Sequence, residues 1–256
     1  MKNNKIFSLL ALVFFILLQS CASRKDIIYL QDIDRTGSND SKYSYEPILQ
    51  NDDLLSIIVS ADDPEITFPF NIPQIQGNYT VSEGQSGIKT YLIDSYGFIE
   101  YPVIGKVKLA GLSRKEAVDK LTDKIKVAIT NPTINLRILN YKISVLGEVI
   151  SPGSYTIQSE RITVLEALSL AGDLTIYGKR DNILIIREKD EVKSFNRVDI
   201  TKSDFINSEF YYLTQNDVLV VEQNKTRINS SVIGPNISVL ISATSVLISL
   251  IILLTR

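Results

Sequence analysis

From Ile228 to Thr255 the chain carries no charged residue, with Arg227 on one side and Arg256 on the other. Water is a poor solvent for such a stretch, and roughly 20 apolar residues rising 1.5 Å each span a hydrocarbon core of about 30 Å. Val232 to Leu254 therefore reads as a membrane-spanning helix. Its surface is uneven. Ser238, Ser242, Ser245 and Ser249 recur at spacings of 4, 3 and 4, which at 100° per residue gathers them within an arc of about 60°. Two readings of that seam stay open: a packing face, where small residues let membrane helices approach closely, or a water-lined face turned toward a shared lumen.

The opposite end is apolar too, but shorter. Lys2 and Lys5 precede an apolar run from Ile6 to Leu18 broken only by Ser8, and Gln19-Ser20-Cys21 follow. Residues 1–20 thus read as a signal peptide, too short for a full span. Cys21 is the chain's sole cysteine, and an unpaired thiol in an oxidising compartment calls for a reason. The junction resembles a bacterial lipobox, which makes Cys21 the lipidation site and new N-terminus. Ala22 after it resembles the signal for transport to the outer membrane. Residues 21–42, polar and without apolar periodicity, read as a lipidated N-terminus and tether.

Composition removes several classes of function. There is no histidine, and with only Cys21 besides, the usual metal ligands and the commonest general base are missing. No catalytic residue, cofactor or metal site is assigned. The adjacent acids Asp52-Asp53 and Asp62-Asp63 lie beside turn signals, and neighbouring residues on a strand point to opposite faces; we read them as turn formers rather than a glycosidase pair. With 27 basic against 29 acidic residues and no long block of either sign, nucleic acid is not a partner.

Between the ends lie about 200 residues, room for two small domains. Residues 43–140 read as a mixed α+β unit. Leu54 to Ser60 is strand-like, Tyr91 to Val107 is hairpin material around Gly97, and Ser113 with Glu116 forms a capping box opening a helix that Asn131-Pro132 stops. Residues 141–223 repeat the logic. Strands at Ile143–Val149 and Tyr155–Ile157 precede a helix capped by Thr163 with Glu166 and closed by Gly172, and three more strands follow at 183–187, 192–198 and 218–222. Several strands wrapped on one helix suggest a β-grasp. The fold class is thus α+β: two small α+β domains, then a C-terminal transmembrane helix in residues 224–256.

These residues carry a family likeness. Asp94-Ser95-Tyr96-Gly97-Phe98-Ile99 with Pro102, Gly105, Gly111-Leu112-Ser113 and Asn131-Pro132 resembles the export domain of Wza-like outer-membrane polysaccharide export proteins. Val145-Leu146-Gly147-Glu148-Val149 with Pro152-Gly153, Val164-Leu165-Glu166-Ala167-Leu168, Ala171-Gly172 and Asn216-Asp217-Val218 resembles the soluble-ligand-binding β-grasp domain of the same proteins. The resemblance implies a non-enzymatic outer-membrane lipoprotein with periplasmic domains that assembles into a homo-oligomeric ring. Capsular or exopolysaccharide would pass through it, in concert with an inner-membrane co-polymerase. The alternative is a membrane-anchored carbohydrate-binding or scaffolding lipoprotein without a pore; a third, an envelope glycan hydrolase, lacks a supporting pocket motif.

Overall fold

The computed structural model describes residues 27–35, 45–71, 90–189, 192–233 and 236–254. The signal peptide, Cys21 and the Gly-rich part of the first domain's insertion lie outside the described residues. What is described is mixed α+β with two separate apolar cores.

The first core sits under a three-stranded sheet. Strand β1, Leu54–Ser60, is buried along most of its length, as a central strand between two partners should be. Helix α1, Pro64–Thr67, follows directly, its first turn held by the Asp63 carboxylate accepting from the Glu65 amide at 2.9 Å. Strand β2, Thr90–Leu92, and β5, Thr133–Ile138, flank β1, both antiparallel to it. Between them come β3, Phe98–Tyr101, β4, Gly105–Lys108, and helix α2, Arg114–Ile125. The Ser113–Glu116 capping box forms as expected, and Ala117, Leu121 and Ile125 face the core.

The expected hairpin around Gly97 is corrected: β2 pairs with β1, while β3 pairs with β4. Gly97, at φ +86°, instead redirects the chain, and its carbonyl accepts from the Leu109 and Ala110 amides. Both pieces alternate as strands do, and alternation does not name a partner. Helix α2 also ends earlier than Asn131-Pro132 suggested, with Lys126 as its C-cap.

In the second unit β6, Lys142–Gly147, and β7, Gly153–Thr156, form a hairpin. A short β8, Ile162–Thr163, leads into α3, Val164–Leu170, whose Thr163–Glu166 capping box is present. A longer hairpin follows in β9, Gly178–Lys189, and β10, Val192–Val198. Then β11, Tyr212–Leu213, pairs with β8, and β12, Val218–Gln223, enters the sheet parallel to β6. The order is β10-β9-β12-β6-β7, with α3 packed on one face through Val164, Ala167, Leu168 and Ala171. Gly147, at φ +91°, permits the crossing of β6 and β12. A Cβ there would stand 2.0 Å from the Val221 carbonyl oxygen, so no other residue fits.

The two units are joined by a polar hinge rather than a loose linker. The Asn140 side chain accepts from the Leu54 amide and donates to the Asp52 carbonyl, both at 2.8 Å. Gln215 donates to the Asn140 carbonyl and accepts from the Lys142 amide, also at 2.8 Å each. Tyr45 stacks on Tyr212 at 5.2 Å between centroids, and its hydroxyl meets that of Tyr141.

After β12 come α4, Lys225–Ile233, and α5, Asn236–Leu254. The expected membrane-spanning helix from Val232 to Leu254 is not supported as a span: helix is described over Lys225–Ile233 and Asn236–Leu254, and residues 234–235 lie outside the described residues. Among the described residues no helix is long and apolar enough to cross a membrane. The 19 residues of α5 rise roughly 28 Å at 1.5 Å each, slightly under a hydrocarbon core.

Candidate functional site

The sequence placed its candidate residues at the two ends, so the first question is where those ends meet the folded units. Cys21 lies outside the described residues, as does the Ser238 side chain. Ser242, Ser245 and Ser249 do fall on α5. Two of the hydroxyls turn back on the helix: Ser245 Oγ donates to the Ile241 and Ser242 carbonyls at 3.0 and 2.8 Å, and Ser249 Oγ to the Ser245 carbonyl at 2.9 Å. Such back-bonding satisfies a hydroxyl without water. The seam can therefore face another helix as readily as a lumen. Around it, Val239, Ile241, Val246, Ile248, Leu250 and Leu253 are exposed on the chain taken alone.

The expected tether is corrected in part. Residues 27–35 dock on the second unit. The Leu30 and Gln31 amides donate to the Ile200 and Thr201 carbonyls at 3.2 and 2.8 Å, and Asp32 accepts from the Ser203 amide at 2.7 Å. Tyr29 packs against the second core, with its hydroxyl donating to the Asp173 carboxylate and its ring under the Arg180 guanidinium at 5.3 Å. Burial, reinforced by the bond to Asp173, raises the Tyr29 pKa to about 12. Tyr29 is thus a neutral donor at any physiological pH.

Arg180 is only 5% exposed and holds the loop beneath this strap. Its guanidinium donates to the carbonyls of Thr175 and Gly178 at 3.3 and 3.1 Å and to that of Leu174 at 3.5 Å. The same loop fixes the exit of the chain. The Asn224 amide donates to the Tyr177 carbonyl at 2.8 Å, and its side chain caps α4 by accepting from the Arg227 amide at 3.0 Å. Arg227 then lies over the Tyr177 ring at 5.4 Å. The strap entering from residue 27 is therefore held by Asp173 and residues 200–203, with Arg180 linking it to loop 174–178, and α4 leaving at residue 225 is held by Tyr177 of that loop.

Beside the strap a groove of about 450 Å³ opens, lined by Tyr29, Leu165, Leu168, Ser169, Gly172 and Asp173. Its wall is largely apolar with one carboxylate and two hydroxyls, suited to binding rather than to proton transfer. Among the described residues no group of acids, histidines or cysteines could hold a metal ion. Asp52 and Asp53 are turn residues: Asp52 sits at φ +67° and Asp53 accepts from the Gln50 amide at 2.8 Å.

Sequence reasoning missed Tyr29, Asp173 and Arg180. Each left a trace. Tyr29 is the one aromatic ring of residues 22–42 and sits in the apolar Ile27-Ile28-Tyr29-Leu30, Asp173 follows the helix-closing Gly172 with φ +75°, and Arg180 stands in the polar start of β9. None of these signals names its partner.

The comparisons with known proteins agree with the sequence likeness. Residues 41–139 match the family described as polysaccharide biosynthesis/export protein. The chain is 33% identical over 129 residues to the EPS I polysaccharide export outer membrane protein EpsA of Ralstonia solanacearum, covering 48% of this chain and 34% of that one. It is 32% identical over 141 residues to the protein of the same name from Ralstonia nicotianae, covering 53% and 37%. The chain spans about a third of the length of the curated relatives it matches.

Proposed function

We propose that the chain is an outer-membrane lipoprotein subunit of an oligomeric polysaccharide exporter, with residues 41–139, which match the polysaccharide biosynthesis/export family, as an export domain of the Wza-like kind. The family match carries the reading. In it, Cys21 bears the lipid, copies assemble as a homo-oligomeric ring, and α5 enters the membrane as one stave of a helical bundle. Capsular or exopolysaccharide is the cargo, delivered with an inner-membrane co-polymerase.

The geometry at loop 174–178 supports this orientation. Tyr29 stands eight residues after Cys21, a reach of at most about 28 Å for extended chain, and α4 leaves the same loop toward α5. Both membrane-directed ends depart from the second unit, so that unit sits against the membrane and the export domain hangs below it. The strand order, a hairpin, a helix, a second hairpin and a last strand parallel to the first, is that of a β-grasp and supports the ligand-binding-type reading of 141–223. The uncharged 19 residues of α5, with apolar side chains exposed on both flanks of the serines, favour burial among lipids and neighbouring copies. Serines already satisfied by their own helix favour a bundle closed at rest.

The test is the oligomeric state of the detergent-extracted mature protein, with surface polysaccharide scored in cells lacking residues 224–256. A closed ring, and loss of surface glycan without the tail, is expected. A stable monomer whose truncation leaves export intact would instead select the pore-free anchored lipoprotein.

A further inference from the structure

The strands of the second unit run outward from the hinge. Asn140 and Gln215 hold the start of β6 beside the first unit, and β12 lies parallel to β6. The far end of the sheet therefore gathers the ends of β6, β12 and β10 and the starts of β7 and β9. Two loops, 148–152 and 171–177, form its tip and are tied together. Val149 bridges to Leu174, and the Ile150 and Ser151 amides donate to the Asp173 and Ala171 carbonyls at 3.0 and 2.8 Å. Turns left in water favour polar residues. Here Ile150 and Ile176 are instead 65% and 66% exposed, and Leu170, at the end of α3, is 51%. The strap, bonded to residues 200 and 201 just past β10, adds the exposed Ile27 and Ile28 at the same end.

An apolar rim of this kind marks a contact, and the course of the chain says with what. Arg227 lies over the Tyr177 ring of the rim at 5.4 Å, and the charge-free stretch begins at the next residue, Ile228. No charged spacer separates the rim from the apolar tail, so a lipid layer that takes up the tail from its first uncharged residues also reaches the rim. The ion pairs nearby are internal to the unit: Arg227 stands 4.0 Å from Glu148, and Lys202 3.2 Å from Asp199. Apolar tips beside a tyrosine, with neighbouring charges already matched, suit the boundary between water and acyl chains.

We propose that Ile150 and Ile176, at the tips of these two loops, dip into the lipid layer that α5 enters, so that the second unit is seated on the membrane by its own rim as well as by its tail. The occupant of the rim is lipid. Side chains held at such a boundary sink about 5–10 Å past the headgroups, and isoleucine brings no polar atom that the acyl region would leave unsatisfied. Contact at two loops besides the exit of α4 fixes the tilt of the unit against the lipid plane, which a single chain exit leaves free. The inference rests on the membrane-anchored reading above and names the part of the folded unit that meets lipid.

The experiment uses the whole detergent-extracted protein reconstituted in phosphatidylcholine vesicles, with an environment-sensitive fluorophore on one of four single variants: Ile150→Cys, Ile176→Cys, Leu250→Cys on α5, and Val127→Cys on the first unit. All four positions are exposed on the chain alone, and the unsubstituted protein reports any labelling of Cys21. Each label is quenched in turn by aqueous iodide and by lipids carrying a nitroxide on the acyl chain. Labels at 150 and 176 are expected to follow the one at 250, quenched by the nitroxide lipid and severalfold less by iodide than the label at 127. If they are as open to iodide as the label at 127 while 250 reports lipid, the rim contact is overturned and the membrane-anchored reading stands. Labels at 150 and 176 shielded from both quenchers overturn it as well, in favour of a protein covering the rim. A label at 250 open to iodide overturns both readings.

Discussion

Asp53 offers the sharpest test of how the first domain is held. Its side chain is 1% exposed, one carboxylate oxygen accepts from the Gln50 amide at 2.8 Å, and the other has no hydrogen-bond partner. Burial raises its pKa to about 6, with the Asp52 charge adding to the rise and the Gln50 bond opposing it. The folded carboxyl therefore holds its proton more tightly than the unfolded one at 3.8. The fold is favoured by protonation: that contribution is whole below pH 4 and is lost as pH climbs through about 6. Two pH units at roughly 1.36 kcal/mol each give a cost of about 3 kcal/mol at pH 7.5. Asp53→Asn keeps an acceptor for Gln50 and cannot ionise, though its amide protons lack a partner, which costs about 1 kcal/mol. The variant should thus be more stable than wild type by about 2 kcal/mol at pH 7.5, and the advantage should shrink to nothing or reverse near pH 4. Urea unfolding of the detergent-solubilised chain followed by far-ultraviolet circular dichroism reads this directly, the chain having no tryptophan. A stability difference independent of pH, or one that grows as pH falls, would refute the argument.

Gly147→Ala should abolish folding of the second unit, since the added Cβ meets the Val221 oxygen at 2.0 Å, while Gly111→Ala, at φ +83° in open space, should cost only about 1 kcal/mol; thermal melts of the two distinguish a clash from backbone strain. Asp217→Ala removes the fully buried carboxylate that receives Arg187 at 2.7 Å and the Thr214 amide at 2.8 Å, and should cost about 3 kcal/mol. Denaturant midpoints check it, and an unchanged midpoint would mean the pair is a bystander. Tyr29→Ala should free residues 27–35 from the second unit, read as faster proteolysis in that stretch with the core cleavage pattern unaltered.

Much of the fold is legible one residue at a time. The two capping boxes, Ser113 with Glu116 and Thr163 with Glu166, are each written within four residues and form as read. So do β1 and β12, whose apolar content sets them apart from their flanks, and β10, whose bounds match. The acidic pairs, read as turn formers, cap or turn the chain at Asp52, Asp53 and Asp63. Pairing was less legible. Nothing local assigns β2 to β1 rather than to β3, because a strand's hydrophobic face is the same whichever edge it joins.

The sequence alone determined the element types, the charge-free tail and the absence of imidazole and paired thiol, since these depend on composition and on periods of two or 3.6 residues. Tertiary structure decided the rest. Tyr29 meets Asp173 across 144 residues, and Arg187 meets Asp217 across 30. A strand register turns Phe195 outward, and a polar stretch lies down on a core instead of hanging free. These contacts exist only once distant segments share a volume, and their energies follow from neighbours that no window of adjacent residues contains.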